Sequence, residues 1–295
     1  MTARIVVGVD GSASSLAAVE AATREARWRD ADLHVVHAFI WPLMHVPLGP
    51  SELGPPEGGL RNMAKRLVAE AENHARTVAP DVKVTSAMVT GEPLTVLQAQ
   101  SRDAQLIVIG SRNMGGFVGL MVGSTAVHLA AHGHCPTLVT RAPGNAAGPV
   151  LLGVDGSPAG AGAIEFAFAE AALRGADLLA IHAWTPWNAP MPQPVDPAMP
   201  YAGTPGALAE REASLLSTAL AGHQDRYPSV RVERQAVRQG TREALIEASR
   251  TAQLLVVGAR GRGGFAGLLL GSVSQAMLNH AHCPVAVVSG ASTTK

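Results

Sequence analysis

Two glycine-rich segments of the chain carry residues that could bind a phosphate group. The second segment reads Gly258-Ala259-Arg260-Gly261, followed by nine residues and then Gly271-Ser272. Each segment follows an apolar run typical of a β-strand and precedes a helical stretch. Glycine lets the backbone approach an anion closely, and the N–H groups at the start of a helix can hold phosphate. The duplicated arrangement therefore predicts two anion-binding loops, with the Ser272 hydroxyl as a further donor.

An aspartate follows the first predicted strand of each half, at Asp10 and at Asp155. Its carboxylate could accept hydrogen bonds from a ribose hydroxyl or from the amino group of adenine. It could also bind Mg²⁺ through water. The alternative is that the aspartate only caps the turn or helix that follows it. The sequence leaves both interpretations open.

The motifs of several other nucleotide-binding and catalytic sites are absent from the sequence. A dinucleotide fingerprint needs G-x-G-x-x-G after the first strand, where this chain has Asp-Gly-Ser. A Walker A loop needs a Gly-Lys pair, and none of the three lysines follows a glycine. No G-x-S-x-G nucleophile elbow is present. Phosphate would therefore be held by backbone N–H groups, by hydroxyls and by the candidate arginines Arg112, Arg260 and Arg262.

Histidine and cysteine cluster near the end of each half. Residues 132–135 read His-Gly-His-Cys, and residues 280–283 read His-Ala-His-Cys. His128 could add a further metal ligand in the first half, but its counterpart in the second half is Ala276. Histidine near a helix C-terminus also complements the helix dipole. We therefore predict no metal site here and no disulfide between the two cysteines.

The elements that must position these residues also occur twice. Residues 5–12 read IVVGVDGS, and residues 150–157 read VLLGVDGS. Residues 106–124 match residues 254–272 in the same way. A repeat at this distance indicates a duplicated domain rather than a solenoid. The two predicted domains are residues 1–145 and 146–295. Residues 142–149, at the boundary between them, are the predicted linker.

Each half alternates short apolar runs with helical stretches, which is typical of a parallel, doubly wound α/β sheet. With the strand order 3-2-1-4-5, ligands would bind beyond the carboxyl ends of strands 1 and 4. Ser12 and Ser157 are candidate N-caps of the first helix in each half. The predicted strands lie near residues 4–9, 33–39, 82–89, 105–110 and 136–141, and near 149–154, 177–184, 230–237, 253–258 and 284–289.

Composition excludes some classes of protein. The chain has 23 basic and 23 acidic residues, whereas nucleic-acid-binding domains usually carry a basic excess. The sequence contains no apolar run of membrane-spanning length and no evident signal segment, so we expect a cytoplasmic protein. Proline-rich segments at 41–58 and 186–205 are expected to be surface excursions, with a lid or contact surface as the alternative.

The motifs together resemble the universal stress protein family. The resemblance rests on the V-G-V-D-G-S-like start, the G-x-x-G-(x)9-G-S loop and the H-C-P segment, and it covers both halves. It implies an adenine-nucleotide α-hydrolase-like fold in each half and ATP as the ligand. It also implies pseudo-twofold packing of the halves, a possible homodimer and a regulatory protein partner.

The resemblance transfers binding roles onto matching positions. The aspartates would contact the adenine or ribose end, Val89 and Val237 would line the adenine pocket, and the loops would wrap the ribose and phosphates. The residues predicted to bind the nucleotide are Gly8, Asp10, Val89, Gly110, Ser111, Arg112, Asn113, Met114, Gly115, Gly116, Gly123, Ser124, Thr125, Gly153, Asp155, Val237, Gly258, Ala259, Arg260, Gly261, Arg262, Gly263, Gly264, Gly271, Ser272 and Val273.

The first loop departs from the family pattern, because Asn113 replaces the glycine found at Gly261. We expect the first site to bind more weakly and the second to be intact, with two ATP sites per chain. The predicted function is that of an ATP-binding regulator or sensor of the stress response. A slow ATPase or autophosphorylating enzyme and a scaffold without nucleotide are the alternatives. No catalytic residue is predicted.

Overall fold

A computed structural model describes residues 3–40, 59–111, 123–141, 145–186, 206–262 and 270–289. The chain divides into two compact units, which comprise residues 1–142 and 143–295. The proline-rich segments at 41–58 and 187–205 lie outside the described residues, so the prediction for them stays a prediction.

The first unit alternates strands and helices along the chain. Its elements are β1 (Arg4–Gly8), α1 (Ala13–Trp28), β2 (Asp32–Phe39), α2 (Leu60–Val78), β3 (Val84–Thr90), α3 (Pro93–Gln100), β4 (Leu106–Gly110), α4 (Ser124–His132) and β5 (Thr137–Thr140).

The second unit repeats this pattern with two additions, a 3-10 turn before its first long helix and a short helix before its third strand. Its elements are β6 (Val150–Gly153), the 3-10 turn (Pro158–Gly160), α5 (Ala161–Arg174), β7 (Leu178–Trp184), α6 (Ala207–Ala219), α7 (His223–Arg226), β8 (Val232–Arg238), α8 (Thr241–Ala248), β9 (Leu254–Gly258), α9 (Ser272–His280) and β10 (Val285–Val288).

The strands of each unit pair in parallel, which confirms the predicted α/β class. In the first unit the pairing runs β3-β2-β1-β4-β5. In the second unit it runs β8-β7-β6-β9-β10. The central strands are buried on both faces, because helices connect parallel strands and cover the sheet. Every predicted strand is present, with ends that differ by two residues at most.

The starts of the first long helices differ between the units. Ser12 is the N-cap of α1, and its side chain accepts a hydrogen bond from the Ser15 N–H, as predicted. The prediction for Ser157 is wrong. Ser157 precedes the 3-10 turn and its side chain makes no capping bond, and α5 begins only at Ala161, with Gly160 as its N-cap residue.

Candidate functional site

A pocket lies at the carboxyl edge of the sheet in the first unit. Asp10, Gly110 and Thr125 line it together with apolar side chains that include Val36 and Leu97. Its volume is about 100 Å³. Pockets that enclose a whole drug-sized ligand usually measure roughly 300–1,000 Å³. The cavity formed by the described residues is therefore smaller than one that encloses a whole ligand of that size.

The fold explains why residues distant in sequence meet here. The carboxyl ends of parallel β1, β2 and β4 lie side by side, and the strand order reverses between β1 and β4. Close approach requires glycine at the end of β4, because a Cβ on Gly110 would lie 2.5 Å from the backbone oxygen of Ser14. The start of α1 therefore packs directly against the end of β4.

Asp10 and Asp155 organise the turn that follows the first strand of each unit. The Oδ1 atom of Asp10 accepts from the Ser12 N–H at 3.0 Å and from the Ser12 hydroxyl at 2.6 Å. The Oδ1 atom of Asp155 accepts from the Ser157 N–H and hydroxyl at 2.9 and 2.8 Å. The glycine between them has positive φ in both turns, as Gly11 and Gly156.

In the second unit, the same aspartate also holds the glycine loop. The Arg262 N–H donates to the second oxygen of Asp155, Oδ2, at 2.7 Å. A Cβ on Gly261 would lie 2.5 Å from that oxygen. The Asp155 carboxylate thus connects the end of β6 to the loop that follows β9, and this packing explains why glycine occupies position 261.

The helices after both loops begin with groups that could receive an anion. Gly123 and Gly271 are the N-cap residues of α4 and α9, and glycine has no side chain that could cap the helix. N–H groups of the first helical turn have no acceptor within the helix. The first two helical N–H groups belong to residues 124 and 125 in α4 and to residues 272 and 273 in α9.

The structure places the remaining predicted residues as follows. Gly8 and Gly123 line the pocket of the first unit, whereas Val89 lies on β3 in register with Ala38 and is not among the residues that line it. Gly153 packs against side chains of α8 and β9, as Gly8 does against α3 and β4. Val237 lies on β8, in register with Ala183, and Gly258 ends β9.

The backbone after β4 and β9 is tied to the neighbouring strand and helix. The Ser111 N–H donates to the Thr140 oxygen, and the Ala259 N–H donates to the Val288 oxygen. The Gly271 N–H donates back to the Ala259 oxygen at 2.8 Å, and Gly271 packs near Arg260. Seven predicted residues lie outside the described ranges, namely Arg112, Asn113, Met114, Gly115, Gly116, Gly263 and Gly264.

The sequence interpretation missed His37, which lies on β2 and lines the pocket of the first unit. Its Nδ1 atom lies 2.8 Å from the Val9 oxygen. His182 occupies the matching position on β7, with its Nδ1 atom 2.7 Å from the Val154 oxygen. The repeated His-Ala dipeptide at 37 and 182 was the signal that could have found them.

The histidine cluster near α4 packs as ordinary side chains. The Nε2 atom of His128 lies 3.1 Å from the Gln98 Oε1 atom, and burial together with His132 lowers the pKa of His128. Burial raises the pKa of the Cys135 thiol to about 12. Within the described ranges, no three His, Cys, Asp or Glu side chains form a group that could hold a metal ion.

Comparison with known proteins gives the family. The model of the universal stress protein family matches residues 1–141 and again residues 147–289. The chain belongs to the universal stress protein family. A universal stress protein of Mycolicibacterium smegmatis is 38% identical over 296 residues, which cover 96% of each chain. One from Mycobacterium tuberculosis is 35% identical over 307 residues, which cover 96% of this chain and 94% of that protein.

The fold of this tandem universal stress protein also matches a solved structure along its length. The crystal structure of a universal stress protein from Archaeoglobus fulgidus aligns with a TM-score of 0.64 and covers 98% of both chains at 16% identity. Among the residues that the structure describes, no helix has the length and hydropathy needed to span a membrane.

Proposed function

We propose that this universal stress protein binds ATP at the carboxyl edge of the sheet in each unit and acts as a nucleotide-dependent regulator in the stress response. The observation that carries the proposal is that the same three features occur together in both units. They are the aspartate turn after the first strand of the unit, the glycine that ends its fourth strand, and a helix that begins after a glycine N-cap. Pocket 1 is the site lined by Asp10, Gly110 and Thr125. We call the proposed counterpart in the second unit, around Asp155, Gly258 and Val273, pocket 2.

Each part of pocket 1 suits a different part of a nucleotide. Val36, Leu97 and Ile109 give an apolar surface against which a base could pack. The first turn of α4 offers N–H groups and the positive end of the helix dipole, which favour phosphate. In pocket 2, Asp155 holds the loop backbone in place before any ligand binds, which reduces the entropy cost of binding.

The polar groups of pocket 1 favour binding over catalysis. Asp10 and His37 are the titratable residues among those described as lining it, and each is hydrogen-bonded to nearby backbone. The alternative is a slow ATPase or an autophosphorylating enzyme, for which the Ser14 and Thr125 hydroxyls in the pocket are the supporting observation. Phosphate release or phosphoprotein formed from labelled ATP would support this alternative.

The first experiment measures nucleotide on the protein. Mass spectrometry of small molecules released by heat from freshly purified protein should detect an adenine nucleotide. Calorimetric titration of nucleotide-free protein should give about two ATP per chain. A stoichiometry of zero, with no nucleotide released, would contradict the proposal.

A matched pair of variants assigns the two sites. Thr125→Glu and Val273→Glu place a carboxylate in the first turn of α4 or α9, where negative charge favours the helix but repels phosphate. Each variant should lower the stoichiometry from about two to about one, and the double variant should bind no ATP. The neutral controls Thr125→Gln and Val273→Gln should keep both sites. Equal ATP binding by the Glu and Gln variants would show that phosphate does not lie at these helix ends.

A further inference from the structure

The carbonyl group that precedes Asp155 is held by a side chain of the neighbouring strand. The Val154 N–H donates to the Ile181 oxygen at 2.9 Å, which continues the pairing of β6 with β7. The Val154 oxygen lies 2.7 Å from Nδ1 of His182. A carbonyl oxygen only accepts hydrogen bonds, so Nδ1 carries a hydrogen and donates it. The Val154 carbonyl and the Asp155 N–H belong to one planar peptide unit, so this bond also fixes the direction in which Asp155 leaves the strand.

The other nitrogen of the same imidazole is held from a helix. Nε2 of His182 lies 2.6 Å from Oε2 of Glu212, which projects from α6, and the two side chains are 4% and 1% exposed. At this distance a hydrogen lies between the two atoms, because two lone pairs would repel each other. The pair therefore shares one proton and has no net charge, either as imidazolium with carboxylate or as imidazole with carboxylic acid. In both forms Glu212 fixes the orientation of the ring and keeps Nδ1 directed at the Val154 oxygen.

Helix α6 also contacts the aspartate turn directly. A Cβ built on Gly156 would meet the side chain of Leu215, which follows Glu212 by three residues and lies beside it on the helix surface. The same Cβ would lie 2.7 Å from Nη2 of Arg262. The turn therefore lies against both α6 and the loop that its aspartate holds.

The first unit repeats the histidine but not the carboxylate. Nδ1 of His37 lies 2.8 Å from the Val9 oxygen, which matches the bond in the second unit. Leu67 of α2 takes the place of Leu215, because it contacts a Cβ built on the glycine of the first turn. The residue three positions before Leu67 is Ala64, where the second unit has the glutamate. Ala64 is buried and its methyl group forms no hydrogen bond, so α2 does not hold the ring as α6 does.

We propose that Glu212 and His182 are positioning residues of pocket 2, which hold the end of β6 so that the Asp155 carboxylate meets the loop after β9. The inference rests on the proposed nucleotide binding. The contacts form a continuous series from Glu212 through His182 and the Val154 oxygen to Asp155, whose Oδ2 atom accepts the Arg262 N–H. Each member of the series acts on the ligand through the next one. Removing the pair should therefore weaken ATP binding at pocket 2 and leave pocket 1 unchanged.

The main test replaces the pair with two apolar side chains. The double variant His182→Leu/Glu212→Leu removes both hydrogen bonds and leaves no unpaired charge in the core, and such replacements are often neutral or stabilising. It should therefore stay folded, which circular dichroism and thermal unfolding check. In the Thr125→Glu background, which reports on pocket 2 alone, its ATP affinity should fall about tenfold. In the Val273→Glu background, pocket 1 should bind ATP as before. Unchanged affinity of pocket 2 in the folded double variant would overturn the proposal.

Two single substitutions serve as controls. Glu212→Gln keeps a hydrogen-bond partner for the ring, because its NH2 group can donate to Nε2 of neutral His182, so the ATP affinity should stay close to that of the parent protein. Glu210→Leu removes an exposed glutamate from the same helix and should have no effect. A loss in either control as large as that in the double variant would trace the effect to the charge of α6 and contradict the positioning role.

A double-mutant cycle with Asp155→Asn tests whether the pair acts through Asp155. Independent effects on ATP affinity multiply, whereas residues that act through one another give a smaller combined loss. Adding Asp155→Asn to the double variant should therefore reduce the affinity of pocket 2 little further. If the two losses multiply in full, the pair supports binding by another route and the proposal is wrong.

Hydrogen exchange separates the positioning role from the nucleotide function. In nucleotide-free protein, the Arg262 amide should exchange several times faster in the double variant, because its bond to Asp155 is weakened. The Ser15 amide, which Ser12 caps in the first unit, should exchange at its original rate. Unchanged exchange at Arg262 would refute the positioning role whether or not ATP binds. If the parent protein binds no ATP, the proposed function fails, and the exchange at Arg262 alone decides whether the pair holds the loop.

Discussion

Asp155 shows how one side chain can hold both the turn after β6 and the glycine loop after β9. One carboxylate oxygen accepts two hydrogen bonds from Ser157, and the other accepts the Arg262 N–H. The sequence left open whether this residue contacts the ligand or caps the turn. The structure shows the turn contact and adds the loop contact, so the effect of Asp155 on nucleotide binding would include positioning the loop.

We predict that Asp155→Asn weakens nucleotide binding at pocket 2 while the unit stays folded. The asparagine amide has one acceptor oxygen and one NH2 donor group. If the oxygen faces Ser157, the NH2 group faces the Arg262 N–H and that hydrogen bond is lost; in the other orientation, the hydrogen bonds from Ser157 are lost. Loss of one charge-assisted hydrogen bond costs about 1.5–3 kcal/mol, so ATP affinity should fall roughly tenfold to a hundredfold. Titration in the Thr125→Glu background measures this effect. Unchanged affinity would show that the loop does not need this contact.

At the scale of elements, the first long helix begins differently in the two units. In the first unit Ser12 both bonds to Asp10 and caps α1. In the second unit Pro158 opens a 3-10 turn, and α5 starts without a side-chain cap. Equivalent serines in a duplicated motif therefore have different structural roles, because only one of their side chains caps a helix.

Replacing these serines should reveal the difference. Ser12→Ala removes the acceptor for the Ser15 N–H and should destabilise the start of α1 by about 1 kcal/mol. Ser157→Ala is the matched control and should leave the start of α5 at its original stability, since no cap is lost. Hydrogen exchange of the amides in both first helical turns measures the two effects. Similar deprotection of both helices would contradict the assignment of Ser12 as the cap.

At the scale of the whole molecule, each unit carries one buried cysteine. Cys135 lies in the first unit and Cys283 in the second, with 7% and 0% of their surfaces exposed. Burial also raises the pKa of the Cys135 thiol to about 12, which keeps the reactive thiolate scarce near neutral pH. Labelling of either thiol therefore requires its own unit to open.

Thiol labelling should consequently follow the opening of each unit separately. Near pH 8 both cysteines should react slowly in the native protein and quickly in denaturant. ATP should slow labelling at both, whereas Val273→Glu should remove the protection of Cys283 and keep that of Cys135.

An unfolded cysteine ionises near pH 8.5, below the folded pKa of Cys135, so the stability of the first unit should fall as pH rises from about 9 toward 12. Fast labelling of Cys135 in the folded protein would contradict this account.

The sequence by itself determined the duplicated parallel α/β architecture and the places where its loops fall. Continuous apolar runs such as residues 5–7 and 254–257 specify strands buried on both faces, and these signals are local. The repeat placed a glycine loop and an aspartate in each half, so both loops and both aspartates could be found without any structure.

Only the tertiary structure decided how those residues are used. Asp155 meets Arg262 across 107 residues of chain, and His182 meets Glu212 because α6 packs against β7. No local pattern encodes such contacts, since they depend on how a helix is rotated over a sheet.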